Sequence, residues 1–549
     1  MSIRLSEIKL PLNHSEDELR AAILDKLSIG SEELIAFTTF KRSYDARKKT
    51  NILLIYQLDV EVSAAQQEQL LSAFSRDSHV SVSPNTEYHF VGHADEQFPA
   101  ADQQRPVVIG FGPCGMLAAL LLSQMGLKPI VLERGQNVRQ RTKDTWALWR
   151  EGKLDTESNV QYGEGGAGTF SDGKLYSQVK DRRFLGRKVM AEFVTAGAPE
   201  EIMMVAKPHI GTFKLVKMVE AMRAEITRLG GEIRFNCKVD AVIRESVDDE
   251  NGQITGLTLS NGETLKTRHV VVAIGHSARD TFQMLLDSGV YIEPKPFSVG
   301  FRIEHPQSVI DAARFGEHAG NQILGAADYK LVHHCKSGRS VYSFCMCPGG
   351  TVVAAASEEG GVVTNGMSQY SRNERNANAA IVVGIDPEKD YPGHVFAGID
   401  LQRDLEKKAY LQGGENYHAP AQRVGDYMAN RPTTELGKVS PSYKPGVTLG
   451  DVSQLLPDFA NAAIREAIPA FNRKIQGFSM PDAILTAVET RTSSPICIRR
   501  NKNYCSLNTV GLYPAGEGAG YAGGILSAGI DGIKVAEAIA ADILGVDAP

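Results

Sequence analysis

Three glycines and one acid have the spacing of a dinucleotide-binding turn. Gly110, Gly112 and Gly115 follow the apolar run at residues 107–109 at G-x-G-x-x-G spacing. The first glycine permits a tight turn, the second lets the main chain approach a pyrophosphate, and the third lets a helix lie close to the strand. Glu133 ends the next apolar run, where a carboxylate accepts hydrogen bonds from a ribose. These residues predict a dinucleotide site.

A second glycine-rich stretch, YGEGGAGTFSDGK, occupies residues 162–174. Five glycines among thirteen residues disfavour a helix or a strand, but they allow a loop whose amides converge on an anion. Hydroxyl and ammonium donors within it suit phosphate or cofactor oxygens. A mobile surface loop is the alternative. On the first interpretation the cofactor-binding residues here are Gly165, Gly166, Thr169, Ser171 and Lys174.

Two cysteines and one arginine are the candidates for catalysis. Cys345 and Cys347 have C-x-C spacing, which in a strand places both sulfurs on one face. They are a redox pair, a single reactive thiol, or two small buried residues. Arg491, in ETRTSSP, offers a planar fork suited to a carboxylate or phosphate. Further candidates for substrate contacts are His209, His276, Arg302 and His305.

The sequence predicts no metal site. The other cysteines lack a second close pair, and H-x-x-H spacing does not occur. His333 and His334 precede Cys335, but neighbouring residues on a strand face opposite ways. This trio is therefore expected to be a poor chelate.

Composition places these residues in an ordinary globular chain of 549 residues with a formal net charge of -6. That charge gives no general attraction to nucleic acid or membrane. No apolar run reaches membrane-spanning length, and the first residues lack the plan of a signal peptide. An odd number of scattered cysteines, seven, suits a reducing compartment. We expect a cytoplasmic protein that does not bind membranes; the sequence does not indicate its oligomeric state.

Residues 1–95 have the pattern of a separate module. Apolar alternation and helical spacing predict the order strand, helix, strand, strand, helix, strand, which is typical of a small ferredoxin-like α+β domain. Between its middle strands lies KRSYDARKK, residues 41–49, with five cations and one acid. A solvated hairpin is the favoured interpretation, and an RNA-binding patch is the alternative.

The rest of the chain divides into a nucleotide domain interrupted by an insertion. Strand and helix patterns over residues 105–290 predict the first part of an α/β, Rossmann-like domain. Mostly antiparallel strands over 291–490 predict an inserted mixed α+β substrate domain. Residues 491–549 return to the first domain with a short strand, GEGAGYAGG and an alanine-rich helix.

Several motifs together resemble one family. They are VIGFGPCG with VLERG, GEGGAGTFSDGKL, VVVAIGHSARD, FCMCPGG with NGMS, and YPAGEGAGYAGGILSAGIDG. From about residue 100 to the C-terminus the chain resembles uncharacterised bacterial FAD-dependent dehydrogenases that carry an extra N-terminal domain, with a glutathione-reductase-type FAD fold. The resemblance implies FAD as the cofactor, with Val239 contacting the adenine through its main chain and Gly516 and Glu517 holding the ribityl chain. Within the same motifs we assign to the cofactor site Pro113, Arg134, Gly275, Gly524 and Ile525.

We therefore predict an FAD-dependent oxidoreductase that passes a hydride or electron pair between flavin and an unidentified small-molecule substrate. Only one glycine fingerprint is evident, so NAD(P)H would dock transiently. Two alternatives stay open: an RNA-modifying flavoprotein that uses the basic hairpin, and an FAD-binding interaction protein without turnover.

Overall fold

The computed structural model describes residues 2–101, 103–248 and 251–548. The N-terminal module is a four-stranded antiparallel sheet of order β2-β3-β1-β4 with two helices. Alternate residues of β3 are buried, and a reciprocal Ser15–Glu18 capping box begins α1. This order and pairing are those expected of a ferredoxin-like module. Its elements are β1 (Ile3–Pro11), α1 (Glu16–Leu27), β2 (Ala36–Asp45), β3 (Leu53–Glu61), α2 (Ala64–Ala73) and β4 (Val80–Val82).

The nucleotide domain is built on a five-stranded parallel sheet of order β23-β11-β5-β6-β7. Four of its strands are short, apolar runs buried on both faces, whereas the edge strand β7 is half-buried and carries Glu232 and Arg234. A second sheet of order β10-β9-β22, with β8 on β9, lies in the same domain. The elements are β5 (Val107–Ile109), α3 (Pro113–Gln124), β6 (Ile130–Leu132), α4 (Val138–Glu151), α5 (Leu185–Thr195), α6 (Thr212–Arg228), β7 (Glu232–Arg234), β8 (Val239–Ser246), β9 (Gly252–Leu259), β10 (Thr264–Lys266), β11 (Val270–Val272) and α7 (Arg279–Asp287), then β21 (Ile496–Ile498), β22 (Thr509–Val510), β23 (Leu512–Pro514) and α12 (Ile525–Leu544).

The inserted domain is an eight-stranded sheet of order β14-β15-β17-β13-β20-β18-β19, with β16 paired to β15. Apart from the parallel β18–β19 pair, its ladders are antiparallel. Helix α11 packs against β14, β15 and β17. A two-stranded ladder of β12 with β21 joins the insertion to the return segment. The elements are β12 (Ile292–Pro294), β13 (Phe297–Pro306), α8 (Gln307–Phe315), β14 (Val332–His334), β15 (Ser340–Ala354), β16 (Thr364–Ser368), β17 (Asn376–Ile385), α9 (Ala397–Gly413), β18 (Ala419–Arg423), α10 (Val424–Met428), β19 (Val447–Leu449), α11 (Asp458–Lys474) and β20 (Ile484–Glu489).

The basic hairpin packs against the nucleotide domain. The Arg42 amide donates to the Met204 carbonyl at 2.6 Å, and the Ala206 amide donates to the Arg42 carbonyl at 2.8 Å. Arg47 is paired with Asp45. Part of this stretch is therefore used in contacts within the chain. Among the described residues, no helix combines the length and hydropathy that crossing a membrane requires.

Helices α3 and α12 cross at very close range in the nucleotide domain. A β-carbon built on Gly532 would lie 2.2 Å from the main-chain oxygen of Cys114. That oxygen belongs to a buried helix and cannot move aside, so only glycine fits.

We predict that Gly532→Ala destabilises the protein by about 1–3 kcal/mol, as overpacking of a filled core does. Urea unfolding of the purified chain measures the loss. Gly384→Ala is the matched control, because a β-carbon there would meet nothing within 4 Å. Equal midpoints for the two variants would contradict the close helix crossing.

Candidate functional site

The turn between β5 and α3 presents free main-chain amides. Gly110 has a φ of +93°, and a β-carbon on Gly115 would lie 2.0 Å from the Gly110 oxygen. Gly112 caps the helix, and Pro113 is its first residue, where a missing N–H costs nothing. The amides of Gly112, Cys114 and Gly115 donate to no acceptor among the described residues. Free amides at a helix N-terminus fit a diphosphate.

Glu133 is fixed beside that turn by three main-chain donors. Its Oε2 accepts from the Phe111 amide at 2.8 Å, and its Oε1 accepts from the amides of Gly135 at 2.9 Å and Gly163 at 3.0 Å. The residue is only 5% exposed. A carboxylate has about four acceptor positions, so one is left for a ribose hydroxyl.

Arg134 is engaged with other side chains. Its guanidinium forms ion pairs with Glu157 and Asp280, both at 2.8 Å, and lies 4.3 Å from the centre of the Tyr162 ring. The structure therefore places this predicted cofactor contact in the wall of the site, held by two carboxylates.

The glycine-rich loop at residues 162–174 lies across the N-termini of α3 and α12. A β-carbon on Gly166 would come within 2.8 Å of the Gly112 Cα, and one on Gly168 within 2.9 Å of Ile525. The Thr169 hydroxyl is buried and has no hydrogen-bond partner within the structure. Ser171, by contrast, donates to the Gly168 carbonyl at 2.6 Å and accepts from the Gly173 amide at 3.0 Å. Of these two hydroxyls, that of Thr169 is therefore the one that can still form a hydrogen bond with a ligand.

The return segment completes the site at the far end of the turn. The Gly516 amide donates to Asp531, and a β-carbon on Gly516 would lie 2.9 Å from the Cys114 Cβ. At Gly275 and Gly524 an added β-carbon would meet nothing within 4 Å. Burial raises the pKa of Glu517 to about 7, and the negative charge of Cys345 adds to that effect. Val239 lies at the start of β8, where it is buried and paired with Leu259.

These features fit FAD. The free amides of the turn suit the pyrophosphate, and Thr169 offers an unused buried hydroxyl. The glycines that border open space leave room for a large flat ring beside α12. Residues of the turn, the glycine-rich loop and the return segment would hold the cofactor.

Cys345 and Cys347 lie where the ladder of β15 is interrupted. The register with β17 shifts between Phe344 and Cys347, and Cys345 has a φ of +42°. Regular alternation, the basis of the prediction that both sulfurs share a face, therefore fails at this point. The Cys347 thiol nevertheless lies beside Cys345, because it donates to the Cys345 carbonyl at 3.4 Å. The interaction with Cys347, together with the charges of Lys174 and Arg302, lowers the pKa of Cys345 to about 5 despite burial. The interaction with Cys345 and burial raise the pKa of Cys347 well above its ordinary value.

Lys174 brings the glycine-rich loop to these thiols. Its side chain is 18% exposed, and its Nζ lies 3.9 Å from Asp172 Oδ2. Burial acts to lower the pKa of Lys174, but the two thiols and Asp172 outweigh it and the pKa is raised. Both oxygens of Asp172 in turn accept from Nε and Nη2 of Arg372, from the inserted domain. Lys174 is therefore fixed at the junction of the two domains.

Arg302 is the second cation at the thiols and is fully buried. It donates to the Cys345 carbonyl at 2.8 Å and to Glu489 at 3.0 Å. Burial raises the pKa of Glu489 to about 7, although Arg302 opposes the shift. Sequence analysis missed Glu489 and Asp172, because only strand pairing and loop placement bring them here.

Arg491, a candidate for catalysis, is held by side chains of the inserted domain. Its Nε and Nη2 donate to the two oxygens of Glu406 at 3.0 and 2.9 Å, and its Nη1 donates to Ser357 at 2.6 Å. Arg279 of α7 pairs with the same carboxylate at 2.8 Å. Glu406 is 2% exposed, and the two arginines hold its pKa far below the ordinary range against the effect of burial. Arg491 thus joins the inserted domain to the nucleotide domain.

A second cluster also departs from the sequence-based expectation. His333 and Cys335 lie on one side of the chain, and Glu466 of α11 joins them, so that one ligand atom from each lies within 4.8 Å of the others. His334 instead contacts Ser340. We assign no metal here, because His333 Nε2 and Glu466 Oε1 lie 3.1 Å apart and already interact with each other.

The fold and the site together define a flavin-binding α/β protein. Residues 296–492 match the model of the "FAD-dependent protein, C-terminal domain-like" family, residues 178–318 match "FAD dependent oxidoreductase", and residues 2–61 match a domain of unknown function. An uncharacterized protein of Clostridium beijerinckii is 45% identical over 540 residues, covering 98% of each chain. The chain belongs to this family of FAD-dependent oxidoreductases, and FAD is its cofactor.

Solved structures with detectable similarity are distant. L-proline dehydrogenase from P. horikoshii is 14% identical with a TM-score of 0.33, covering 80% of this chain and 94% of that one. Halogenase PltM is 12% identical with a TM-score of 0.36, covering 81% and 71%. CtdE in complex with FAD is 12% identical with a TM-score of 0.29, covering 80% and 89%. We draw no functional argument from similarities at this level.

We predict that Gly112→Ala weakens FAD binding by at least about tenfold, or about 1.4 kcal/mol. The new β-carbon would lie 3.5 Å from the Gly166 Cα, an ordinary contact, so the fold tolerates it while the phosphates lose space. Equilibrium dialysis of FAD against the apoprotein measures the affinity, with Gly384→Ala as the control. An unchanged affinity would show that the diphosphate lies elsewhere.

We also predict that Glu406→Gln costs about 3–5 kcal/mol at neutral pH, because it leaves two buried arginines without their carboxylate. Since the folded-state pKa of Glu406 is depressed, its contribution is complete above the unfolded value of about 4.3 and declines as the pH falls below it. Denaturant unfolding should therefore show a constant deficit between about pH 7 and pH 5 and a shrinking one below about pH 4. The exposed Glu388→Gln is the control, and a deficit independent of pH would rule out the ion pair as its source.

Proposed function

We propose that the protein passes a hydride or electron pair between bound flavin and a small-molecule substrate held by the inserted domain. One observation carries the proposal. The glycine-rich loop touches the cofactor turn at Gly166 and ends at Lys174, beside the thiols of Cys345 and Cys347 in the inserted sheet. A single loop thus connects the cofactor site with a polar, cationic part of the inserted sheet.

The roles of the chain's own residues follow from this arrangement. Bound FAD supplies reversible two-electron chemistry, and the protein supplies binding, orientation and electrostatics. The amides of the turn and Thr169 would hold the pyrophosphate, Glu133 the ribose, and Gly516 with Glu517 the ribityl chain. Lys174 and Arg302 would stabilise negative charge on the substrate side, where burial strengthens each interaction.

We further infer that the nucleotide domain is of the glutathione-reductase type. The order of glycine turn, β8–β10 meander, β11 and return segment supports that arrangement. The sequence holds one glycine fingerprint, so the nicotinamide donor would dock transiently rather than occupy a second nucleotide domain.

Anaerobic titration of the purified holoprotein with NADH and with NADPH tests the proposal. We expect one of them to bleach the visible flavin band and a small-molecule acceptor to restore it. Dithionite is the control that shows the flavin to be reducible. A flavin that dithionite bleaches but neither nicotinamide reduces would contradict the transient-donor part of the proposal.

A further inference from the structure

We propose that Cys345 and Cys347 form a redox dithiol that exchanges with a small disulfide, which makes low-molecular-weight disulfides the substrate class. The inference rests on the proposed function for its source of electrons. It can be tested apart from the nicotinamide step, because exchange between the protein dithiol and a disulfide requires neither NAD(P)H nor reduced flavin.

The exposure of the two cysteines assigns them different roles. Cys345 is half-buried and Cys347 is buried, so an incoming disulfide reaches Cys345 first. The Cys347 sulfur lies 3.4 Å from the Cys345 carbonyl oxygen, behind the attacking residue. The left-handed φ of Cys345, +42°, is rare for residues with a side chain and is characteristic of functional positions. The interrupted ladder thus places the Cys347 thiol against the main chain of Cys345.

The charges around the pair favour a thiolate at Cys345. Lys174 and Arg302 face it from the glycine-rich loop and from β13, and three carboxylates, Asp172, Glu489 and Glu517, act in the opposite sense. Arg372 donates to both oxygens of Asp172, and Arg302 pairs with Glu489. The acids are therefore partly neutralised while Lys174 keeps its charge. The thiolate is the form that attacks a disulfide.

The exchange balances in two steps. The Cys345 thiolate attacks one sulfur of R–S–S–R, the S–S bond breaks, and RS⁻ leaves and takes up a proton from solvent. Cys347 then loses its proton and attacks the Cys345 sulfur, releasing the second RS⁻, which is also protonated. The protein dithiol is oxidised to a disulfide and R–S–S–R is reduced to two R–SH. Reopening the protein disulfide requires two electrons and two protons, and the flavin of the proposed function is the electron source.

Alkylation mapping of the full-length holoprotein tests the exchange. The protein is incubated anaerobically with glutathione disulfide, quenched in acid and alkylated, and its peptides are weighed. We expect the Cys345–Cys347 peptide to be lighter by two hydrogens and unalkylated. In the Cys347→Ser variant the reaction should stop at a glutathione adduct on Cys345. The Cys345→Ser variant should form neither this adduct nor the protein disulfide. Lys174→Met should slow the adduct at least tenfold, whereas Cys505→Ser, in the return segment, should behave as wild type.

Two results would overturn the proposal. One is an alkylated Cys345–Cys347 peptide after exposure to the disulfide, with no adduct in Cys347→Ser. The other is a disulfide that forms but stays closed when the flavin is reduced with light, which would separate the thiols from the cofactor. Failure of both nicotinamides to bleach the flavin would contradict the earlier proposal alone, because neither of these measurements uses them.

Discussion

The cofactor site depends on the absence of side chains where two pieces of main chain meet. Gly112 at the start of α3 and Gly166 in the loop lie so close that a β-carbon on Gly166 would clash with the Gly112 Cα, 2.8 Å away. This contact places the loop over the helix N-terminus, where amides are free and the helix dipole favours an anion. The contact between Gly112 and Gly166 also fixes where the later residues of the loop lie. Thr169 stays beside the turn, and Lys174 reaches the inserted sheet.

Two groups of buried charge connect the nucleotide domain with the insertion. In the first, the two oxygens of Glu406 pair with Arg279 of α7 and Arg491 of the return segment. In the second, Lys174 and Arg302 meet two thiols, and the charges there are less completely paired. A buried ion pair fixes geometry, whereas an incompletely paired group retains the capacity to act on a ligand. This contrast is why we place chemistry at the thiols and a positioning role at Arg491.

Local signals in the sequence were sufficient for most elements. The glycine spacing before α3, the alternation in β3 and the uninterrupted apolar runs of β5 and β11 are properties of neighbouring residues, and the structure shows each element within a few positions. Long-range partners could not be predicted. Nothing near Arg491 in the sequence points to Glu406, and nothing near Lys174 points to Cys345, since each pair is joined only by the packing of the domains. The interruption at Cys345 was equally hidden, because a C-x-C pair reads as a regular strand.

A crystal structure of the FAD-loaded protein tests the central claim most directly. The account predicts pyrophosphate oxygens within hydrogen-bond distance of the amides of Gly112, Cys114 and Gly115, with the ring end of the cofactor against Lys174 and Cys345. A cofactor bound away from the turn, or a ring out of contact with both of those side chains, would contradict it.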